Sequence, residues 1–399
     1  MNNSNDSNKF SRQCYRAWSY NETLLNISSS GAVLGEIASK VIFEGGVVFG
    51  AAFDADWNVS IHEVSTINEI HKIFGSKYVQ AKTNSVHNRV YELLLNGKKV
   101  LFCSTPCQCN GLISFLSNRK GFDRNNLLIV DFICHGVPGE GVYQKYLNHI
   151  SDGKKITDVS FRDKRISWNH YGTRIMFDDG TEYFKEHQDD LYMKLFLANR
   201  ILRPSCYRCR AKAEHRVSDI TLGDFWGLQG EKSEKGCSVA VINTENGKKI
   251  FDSMKDKLNL VEISIETALK NNSNYYQSCG IPFNRKKVLT LINKNSDKVF
   301  DTVDKYIKTT FFEKLLRRSI RIIRSIRKIK RRCYLEFNEE SIESFEEKAE
   351  CSGCGACMAS CPVKAISMEI DNEGFYYPSL SKDKCIHCNK CIRTCKGTI

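Results

Sequence analysis

The stretch Cys351-Ser-Gly-Cys354-Gly-Ala-Cys357-Met-Ala-Ser-Cys361-Pro has the cysteine spacing C-x2-C-x2-C-x3-C followed by a proline. A second run repeats this spacing at Cys385, Cys388, Cys391 and Cys395. Three closely spaced thiolates bind one face of an iron–sulfur cubane, and the fourth cysteine of such a run ligates the other cluster. Two copies therefore predict two 4Fe-4S clusters in a small α+β bacterial ferredoxin-like domain over residues 346–399.

Crossed ligation between the two runs assigns three cysteines of one run and one of the other to each cluster. The first cluster is predicted at Cys351, Cys354, Cys357 and Cys395. The second is predicted at Cys385, Cys388, Cys391 and Cys361. Zinc is the alternative metal, but zinc sites typically pair two C-x2-C elements across a longer gap. Lys396 replaces a second proline, which affects the local turn and not the ligands.

The N-terminal sequence and the cysteine content bear on the redox environment. The chain has 18 cysteines in 399 residues, and MNNSNDSNKF at its start contains no apolar signal segment. No run of 18 apolar residues occurs that would predict a spanning helix. We therefore expect a disordered tail over residues 1–12, a cytoplasmic protein and reduced cysteines that bind metal.

The positive charge of the chain is concentrated in one segment. Lys and Arg outnumber Asp and Glu by 59 to 46, and residues 313–332 hold ten basic residues and one Glu. Leu316, Ile320, Ile323 and Ile326 recur there at helical spacing, which predicts a basic amphipathic helix within a linker over residues 309–345. The alternatives are pairing with the acidic run 336–350 and peripheral docking on an anionic membrane or an acidic partner. No nucleic-acid-binding motif is present, and we expect no nucleic acid partner.

Residues 13–308 read as an α/β domain. Short apolar runs at 47–53, 99–103, 127–133, 220–222 and 238–243 alternate with helical patterns. Those patterns cover residues 32–43, 86–95, 143–150, 191–199 and 244–255. Two clusters attached to a larger domain require an electron donor or acceptor, so the α/β domain is expected to hold a redox centre.

Several unusual motifs follow one another in the α/β domain. They are Ser28-Ser29-Ser30-Gly31, GSKYVQ at 75–80, STPCQ at 104–108, Cys134-His135-Gly136-Val137-Pro138, Cys206-Tyr-Arg-Cys209 and SDITLGDFW at 218–226. Together they resemble the coenzyme F-420 hydrogenase/dehydrogenase beta-subunit family over about residues 14–285. The resemblance implies an α/β flavin/iron–sulfur domain that passes electrons between clusters, FAD and a hydride carrier such as the deazaflavin coenzyme.

Seven residues are candidates for binding FAD under this resemblance. Hydroxyls and free N–H groups at a helix start suit a phosphate, which makes Ser28, Ser29, Ser30 and Gly31 candidates for the FAD pyrophosphate. The alternative is an ordinary helix N-cap. Lys77 and Tyr78 suit either a cofactor clamp or a loop entering a strand. Asp224 suits either a cofactor hydroxyl or a turn cap.

Four further cysteines and one histidine lie in the family-like motifs. Cys107, Cys134, Cys206 and Cys209 provide the number of thiolates that a third 4Fe-4S cluster needs. Zinc is the alternative metal, and Cys107 and Cys134 also fit small buried apolar residues. His135 is a weak catalytic candidate, for proton transfer or a hydrogen bond to sulfide or flavin, and its alternative is a loop contact. Six other cysteines are expected to be structural: Cys14, Cys103, Cys109, Cys237, Cys279 and Cys333.

These observations lead to two functional hypotheses. The first is a flavin-dependent iron–sulfur oxidoreductase that works with a redox protein partner or a small-molecule acceptor. The second is a non-catalytic electron-relay subunit that docks on a partner enzyme through the basic helix. Bound flavin and independent reduction of a small acceptor would favour the first hypothesis.

Overall fold

A computed structural model describes residues 10–227, 235–294, 300 and 345–397 of the chain. The predicted basic amphipathic helix over 313–332 lies outside the described residues. So do residues 1–9 of the predicted tail and most of the predicted linker 309–345.

Two sheets that lie before residue 294 are built from the following strands. They are β1 (Gln13–Ser19), β2 (Val47–Phe53), β3 (Val59–Val64), β4 (Val100–Ser104), β5 (Leu127–Phe132), β6 (Ile156–Asp163), β7 (Gly172–Phe177), β8 (Glu182–Glu186), β9 (Ile220–Asp224), β10 (Ser238–Ile242) and β11 (Leu258–Ile263). The main sheet has the order β11-β1-β10-β9-β5-β4-β2-β3, and β6-β7-β8 form a separate antiparallel sheet. Within the main sheet β2, β4, β5 and β9 are parallel neighbours, and antiparallel strands flank them.

The parallel strands are the apolar runs that the sequence predicted, to within one or two residues at each end. All five residues of β4 and the first five of β5 are buried, as is typical of strands that are covered on both faces. Successive side chains enter different cores: Phe102 and Ile129 belong to one hydrophobic cluster, while Leu101 and Leu128 belong to another. The mixed α/β architecture predicted for this part of the chain is therefore confirmed.

Helices cover both faces of the main sheet. They are α1 (Glu22–Ile27), α2 (Val33–Phe43), α3 (Val86–Leu95), α4 (Pro106–Leu116), α5 (Glu140–Ser151), α6 (Leu191–Leu197), α7 (Glu245–Asp252), α8 (Ile265–Leu269) and α9 (Arg285–Asn293). The five predicted helices correspond to α2, α3, α5, α6 and α7. Helix α4 was not predicted, although Pro106 occupies its first turn, where proline is favoured. No helix in the described part of the chain is long and apolar enough to span a membrane.

The C-terminal unit repeats one pattern twice. It contains α10 (Phe345–Lys348), α11 (Ala356–Ser360), β12 (Ile366–Ile370), β13 (Tyr376–Leu380) and α12 (Lys390–Gly397). Each cysteine run forms a loop and then a short helix, and the antiparallel pair β12–β13 lies between the two runs. Gly353 and Gly355 have φ angles of 69° and 74°, and His387 and Asn389, 34 residues later, have 51° and 57°. The two loops therefore share one left-handed backbone pattern.

The C-terminal unit packs against the α/β domain. Ala356 and Ala359 of α11 belong to the same hydrophobic cluster as Val90 of α3 and Leu112 of α4. Arg285 forms an ion pair of 2.8 Å with Glu373, and Ser114 donates a hydrogen bond to the carbonyl of Thr394. These contacts hold the first cysteine run against α3 and α4, the second run against α4, and the turn between β12 and β13 against α9.

Candidate cofactor-binding site

The candidate site lies at the carboxyl ends of the parallel strands. Cys107 follows β4, Cys134 follows β5, and Asp224 ends β9. Strands that run in the same direction end at one edge of a sheet, where ligands of open α/β sheets usually bind. The edge therefore brings together motifs that are far apart in the sequence.

The four cysteines of the predicted third cluster are neighbours. Removal from solvent raises the pKa of Cys107, and the nearby thiols of Cys209, Cys134 and Cys354 raise it further. Burial likewise raises the pKa of Cys206, with additional effects of Cys134, Cys209 and Cys107. The backbone N–H of Val137 donates to Sγ of Cys206 at 3.4 Å.

Solvent exposure separates the cysteines into the two groups predicted from sequence. All twelve predicted ligands are half-buried, including Cys107, Cys134, Cys206 and Cys209. The five described cysteines that were predicted to be structural are buried: Cys14, Cys103, Cys109, Cys237 and Cys279. Cys333 lies outside the described residues. Because Cys107 and Cys134 are half-buried, their interpretation as small buried core residues is not favoured.

The side chains around these thiols do not form a preassembled site for a single metal ion in the described part of the chain. A tetrahedral zinc ion holds its sulfur ligands about 4 Å apart. In residues 10–227, 235–294 and 345–397, no three His, Cys, Asp or Glu side chains are grouped closely enough for one ion. The four cysteines are instead near enough to influence each other's pKa. Four neighbouring cysteines are the number that one cubane takes, one for each iron, and also the number in a four-cysteine zinc site.

The first ferredoxin-type loop lies beside this group of cysteines. A Cβ atom on Gly111 of α4 would be 2.7 Å from Cβ of Cys354, so the helix and the loop are in direct contact. Arg203 is fully buried and donates to the carbonyl of Cys351 at 2.9 Å. Burial opposes the charge of Arg203, but Tyr377, Cys351 and Cys206 raise its pKa. Arg203 thus lies between ligands that were assigned to two different clusters.

The two cysteine runs of the C-terminal unit approach each other through their helices. Ser360 and Thr394, which precede the fourth cysteine of each run, share a hydrogen bond of 2.9 Å. Backbone N–H groups point at sulfur in the first run, from Gly353 to Cys351 at 3.4 Å and from Ala365 to Cys361 at 3.2 Å. Such hydrogen bonds tune the potential of a bound cluster.

A cavity of about 530 Å³ opens next to Cys134 and His135. Its wall contains six of the seven residues predicted to bind FAD: Ser28, Ser29, Ser30, Lys77, Tyr78 and Asp224. Gly31 is the exception, because it packs between β1 and β10. A Cβ atom there would lie 2.2 Å from the carbonyl oxygen of Ala17. The glycine is therefore required by sheet packing, and it is not part of the cavity wall.

The serines do not cap the following helix, so their N-cap interpretation is wrong. Helix α2 begins at Val33 after Ala32, whose φ is 60° and whose side chain makes no capping hydrogen bond. Ser29 instead contacts the Ser76 hydroxyl at 2.8 Å, and Ser30 donates to the carbonyl of Cys237 at 2.8 Å. Ala32 and Val33 line the cavity, which leaves the start of α2 available to an anionic ligand.

Arg162 at the end of β6 connects three of the predicted cofactor residues. Its guanidinium donates to the carbonyl of Ser29 at 3.0 Å, to the hydroxyl of Tyr78 at 3.3 Å and to the carboxylate of Asp224 at 3.2 Å. Its side chain is only 3% exposed. Nothing in the local sequence marked this residue, because an arginine in an alternating strand usually faces solvent.

Two other predicted residues are held by polar contacts with their neighbours. Lys77 donates to the carbonyls of Phe74 at 2.6 Å and Lys72 at 3.0 Å, and burial lowers its pKa to about 7. His135 contacts the side-chain amide of Asn274 at 3.1 Å, and its ring meets that of Phe196 edge-on at 5.0 Å. Burial lowers the pKa of His135, so its imidazole is mainly neutral near pH 7.

The residues around the cavity fit a flavin dinucleotide. The volume lies within the range of small-molecule sites, and Tyr78, Phe196 and Trp226 supply aromatic surface. The start of α2 supplies N–H donors for a diphosphate, and Arg162 holds Ser29, Tyr78 and Asp224 in place in the cavity wall. Cys134 and His135 bring the same cavity to the predicted third cluster.

Comparisons with known proteins agree with the motifs. Residues 97–267 match the family that comprises the C terminus of the coenzyme F420 hydrogenase/dehydrogenase beta subunit, and residues 350–399 match the 4Fe-4S dicluster domain. No curated protein matches the chain. A chain in the solved F420-reducing [NiFe] hydrogenase complex from Methanosarcina barkeri is 14% identical, with a TM-score of 0.48 and coverage of 71% of this chain and 92% of that one. Residues 97–267 are therefore similar to the C terminus of the coenzyme F420 hydrogenase/dehydrogenase beta subunit, and residues 350–399 are similar to the 4Fe-4S dicluster domain.

Proposed function

We propose that the chain is an iron–sulfur flavoprotein oxidoreductase. It passes electrons between two ferredoxin-type 4Fe-4S clusters and an FAD-linked hydride acceptor or donor, such as a deazaflavin coenzyme. One observation carries this proposal: the first cysteine run, the group Cys107–Cys134–Cys206–Cys209 and the cavity are in consecutive contact. Cys354 contacts α4 and influences Cys107, while Cys134 lines the cavity.

The cysteines and the cavity residues have separate roles in this proposal. When bound, the clusters would supply one-electron transfer, and the flavin would couple it to two-electron hydride transfer. The start of α2 would hold the diphosphate, Arg162 would order the cavity wall through Ser29, Tyr78 and Asp224, and Tyr78 and Trp226 would offer aromatic surface to the ring system. His135 is mainly neutral and can donate or accept one hydrogen bond beside the cavity.

A third cluster at Cys107, Cys134, Cys206 and Cys209 is part of the proposal. Its support is that these cysteines are half-buried neighbours, whereas the other described cysteines of the domain are buried. Burial raises the pKa of Cys107, Cys134 and Cys206, so thiolates at these positions need the positive charge of a bound metal centre. The alternative centre with four thiolates is zinc.

Metal analysis of anaerobically purified protein tests these assignments. Three cubanes predict about twelve irons per chain, and the two C-terminal clusters alone predict about eight. Cys206→Ser should remove about four irons, whereas Cys279→Ser should retain all of them. Cys279 is a suitable control because it is buried next to His135, to whose carbonyl it donates at 2.8 Å. Equal iron content in Cys206→Ser and wild type, or zinc in place of iron, would contradict the third cluster.

Flavin is tested in the same preparation. Heat release should give FAD, identified by its fluorescence after hydrolysis to the mononucleotide. Protein with full iron that neither contains nor takes up flavin would remove the oxidoreductase proposal. The electron-relay function would then describe the chain better.

A further inference from the structure

The two ferredoxin-type loops have the same backbone pattern but different surroundings. In the first loop, a Cβ atom on Gly353 would lie 2.3 Å from Nε2 of Gln80, and one on Gly355 would lie 2.1 Å from Oγ1 of Thr83. In the second loop, His387 and Asn389 occupy the corresponding positions and are exposed. The first loop therefore faces the α/β domain, and the second faces solvent.

Positive charge surrounds the second loop. Residues 381–397 contain five Lys or Arg and one acidic residue, Asp383. The side chains of Lys382, Lys384, Lys390 and Arg393 are exposed. In the described part of the chain, no carboxylate forms an ion pair with any of these four. By contrast, Lys348 is paired with Asp371 at 2.7 Å elsewhere in the same unit.

Exposed apolar side chains accompany these charges. Ile386, between two predicted ligands of the second cluster, is 59% exposed. Val363 is 38% exposed and lies two residues after Cys361, a predicted ligand of the same cluster. An apolar centre with a charged rim is the usual anatomy of a protein-binding surface.

We propose that this surface, defined by Lys382, Lys384, Ile386, Lys390 and Arg393 and called here the second-cluster face, docks an acidic redox protein. The proposal rests on the proposed function in one respect, because it takes the second cluster as the point of electron exchange. The reduced partner gives up one electron to the second cluster, and no bond forms or breaks. The unpaired lysines attract an acidic protein and raise its association rate, while Ile386 supplies the apolar contact.

The choice of an acidic partner rests on charge complementarity at the second ferredoxin-type loop. This loop is the exposed end of the series formed by the cavity, the group Cys107–Cys134–Cys206–Cys209 and the two C-terminal cysteine runs. The first loop is covered by Gln80 and Thr83, so the described surface there offers a partner no access. The second loop is exposed on both sides of Cys388, at His387 and Asn389. A protein partner that meets this loop comes within one or two residues of the ligands of the second cluster.

A charge-reversal experiment with a matched control tests the proposal. The full chain carrying Lys382→Glu, Lys384→Glu and Lys390→Glu is compared with wild type and with Lys98→Glu, Lys257→Glu and Lys270→Glu. The control lysines are exposed, the charge change is equal, and none adjoins a predicted cluster ligand in the sequence. The probe is a chemically reduced, strongly acidic plant-type [2Fe-2S] ferredoxin, and stopped-flow absorbance measures its oxidation under anaerobic conditions.

The expected result is a fall of about tenfold or more in the second-order rate for the test variant and little change for the control. The wild-type rate should fall with added salt, and the test variant should lose most of this dependence. Equal rates in wild type and test variant, or a wild-type rate that does not depend on salt, would overturn the proposal.

Further measurements separate loss of the docking surface from other causes of a lower rate. Iron content and reduction by dithionite report whether the clusters are intact in the test variant. Wild-type protein without iron would refute the proposed function itself, whereas an intact variant with an unchanged rate would refute only the docking surface. Vesicles containing phosphatidylserine form the last arm. Loss of vesicle binding with an unchanged ferredoxin rate would assign the face to an anionic lipid surface and overturn the protein partner.

Discussion

Gly355 is a position where a single added methyl group tests how the first cysteine loop docks on the α/β domain. Its φ is 74°, and a Cβ atom would lie 2.1 Å from Oγ1 of Thr83, a residue that is only 3% exposed. The distance between this Cβ atom and Oγ1 would have to increase to at least 3.4 Å to become an ordinary van der Waals contact. Helix α11 begins at the next residue, Ala356, which is fully buried between α3 and α4. Moving the loop therefore pulls α11 out of the core.

The cost of Gly355→Ala has two parts. Alanine in the left-handed region costs about 1–2 kcal/mol. The steric overlap adds about 1–3 kcal/mol, as is typical of overpacking. Together they predict that docking of the first loop is weakened by about 2–5 kcal/mol.

A double substitution separates the two parts. Thr83→Ala removes the Oγ1 atom, after which the nearest Thr83 atom, its Cβ, would be 3.4 Å away. Thr83→Ala should therefore recover about 1–3 kcal/mol of steric cost in the Gly355→Ala background. The cost of placing alanine in the left-handed backbone region should remain. Asn389→Ala is the matched control, because Asn389 has the same backbone conformation in the exposed loop.

Hydrogen exchange of the amides in α3 and α4 measures the opening of this contact under native conditions. Gly355→Ala should speed their exchange strongly, Asn389→Ala should leave it unchanged, and the double variant should lie in between. The reasoning is wrong if Gly355→Ala exchanges like wild type, or if Thr83→Ala recovers no protection.

Four further substitutions test the cluster ligands, the cavity wall and the domain interface. Cys361→Ser should disturb the electron paramagnetic resonance signal of the second cluster, and Cys395→Ser should disturb the signal of the first cluster. Crossed ligation would be contradicted if each substitution damaged only the cluster of its own cysteine run. Arg162→Met should lower the amount of retained flavin at least tenfold, because it removes three hydrogen bonds at the cavity wall. The control Arg165→Met, at an exposed arginine, should retain as much flavin as wild type in a fluorescence assay. Arg285→Met should weaken docking of the C-terminal unit by about 1–3 kcal/mol, because Glu373 loses its ion-pair partner. Equal hydrogen exchange of the β12–β13 amides in this variant and in wild type would refute this prediction.

Local patterns in the sequence determined a large part of this protein. The two cysteine runs identify the dicluster domain because a cubane needs closely spaced thiolates, and that requirement is written in neighbouring residues. The buried strands β2, β4 and β5 were predictable since central parallel strands are continuous apolar runs. Helix α3 was predicted with its observed bounds, because its apolar residues recur at helical spacing.

Tertiary structure alone decided which of these features meet. Cys107 and Cys206 are 99 residues apart. They come together because β4 and β5 end at the same edge of the sheet, and the segment that follows Cys134 there is hydrogen-bonded through Val137 to Cys206. Arg162 was missed because its partners Ser29, Tyr78 and Asp224 come from three distant segments, and no local pattern encodes that convergence. Gly31 was assigned to the cofactor because its motif resembles a phosphate turn, whereas its absent side chain serves the contact with Ala17. Spacing along the chain specifies local ligand sets and element types, but burial and long-range packing specify which surfaces face the cavity, the domain interface or a partner.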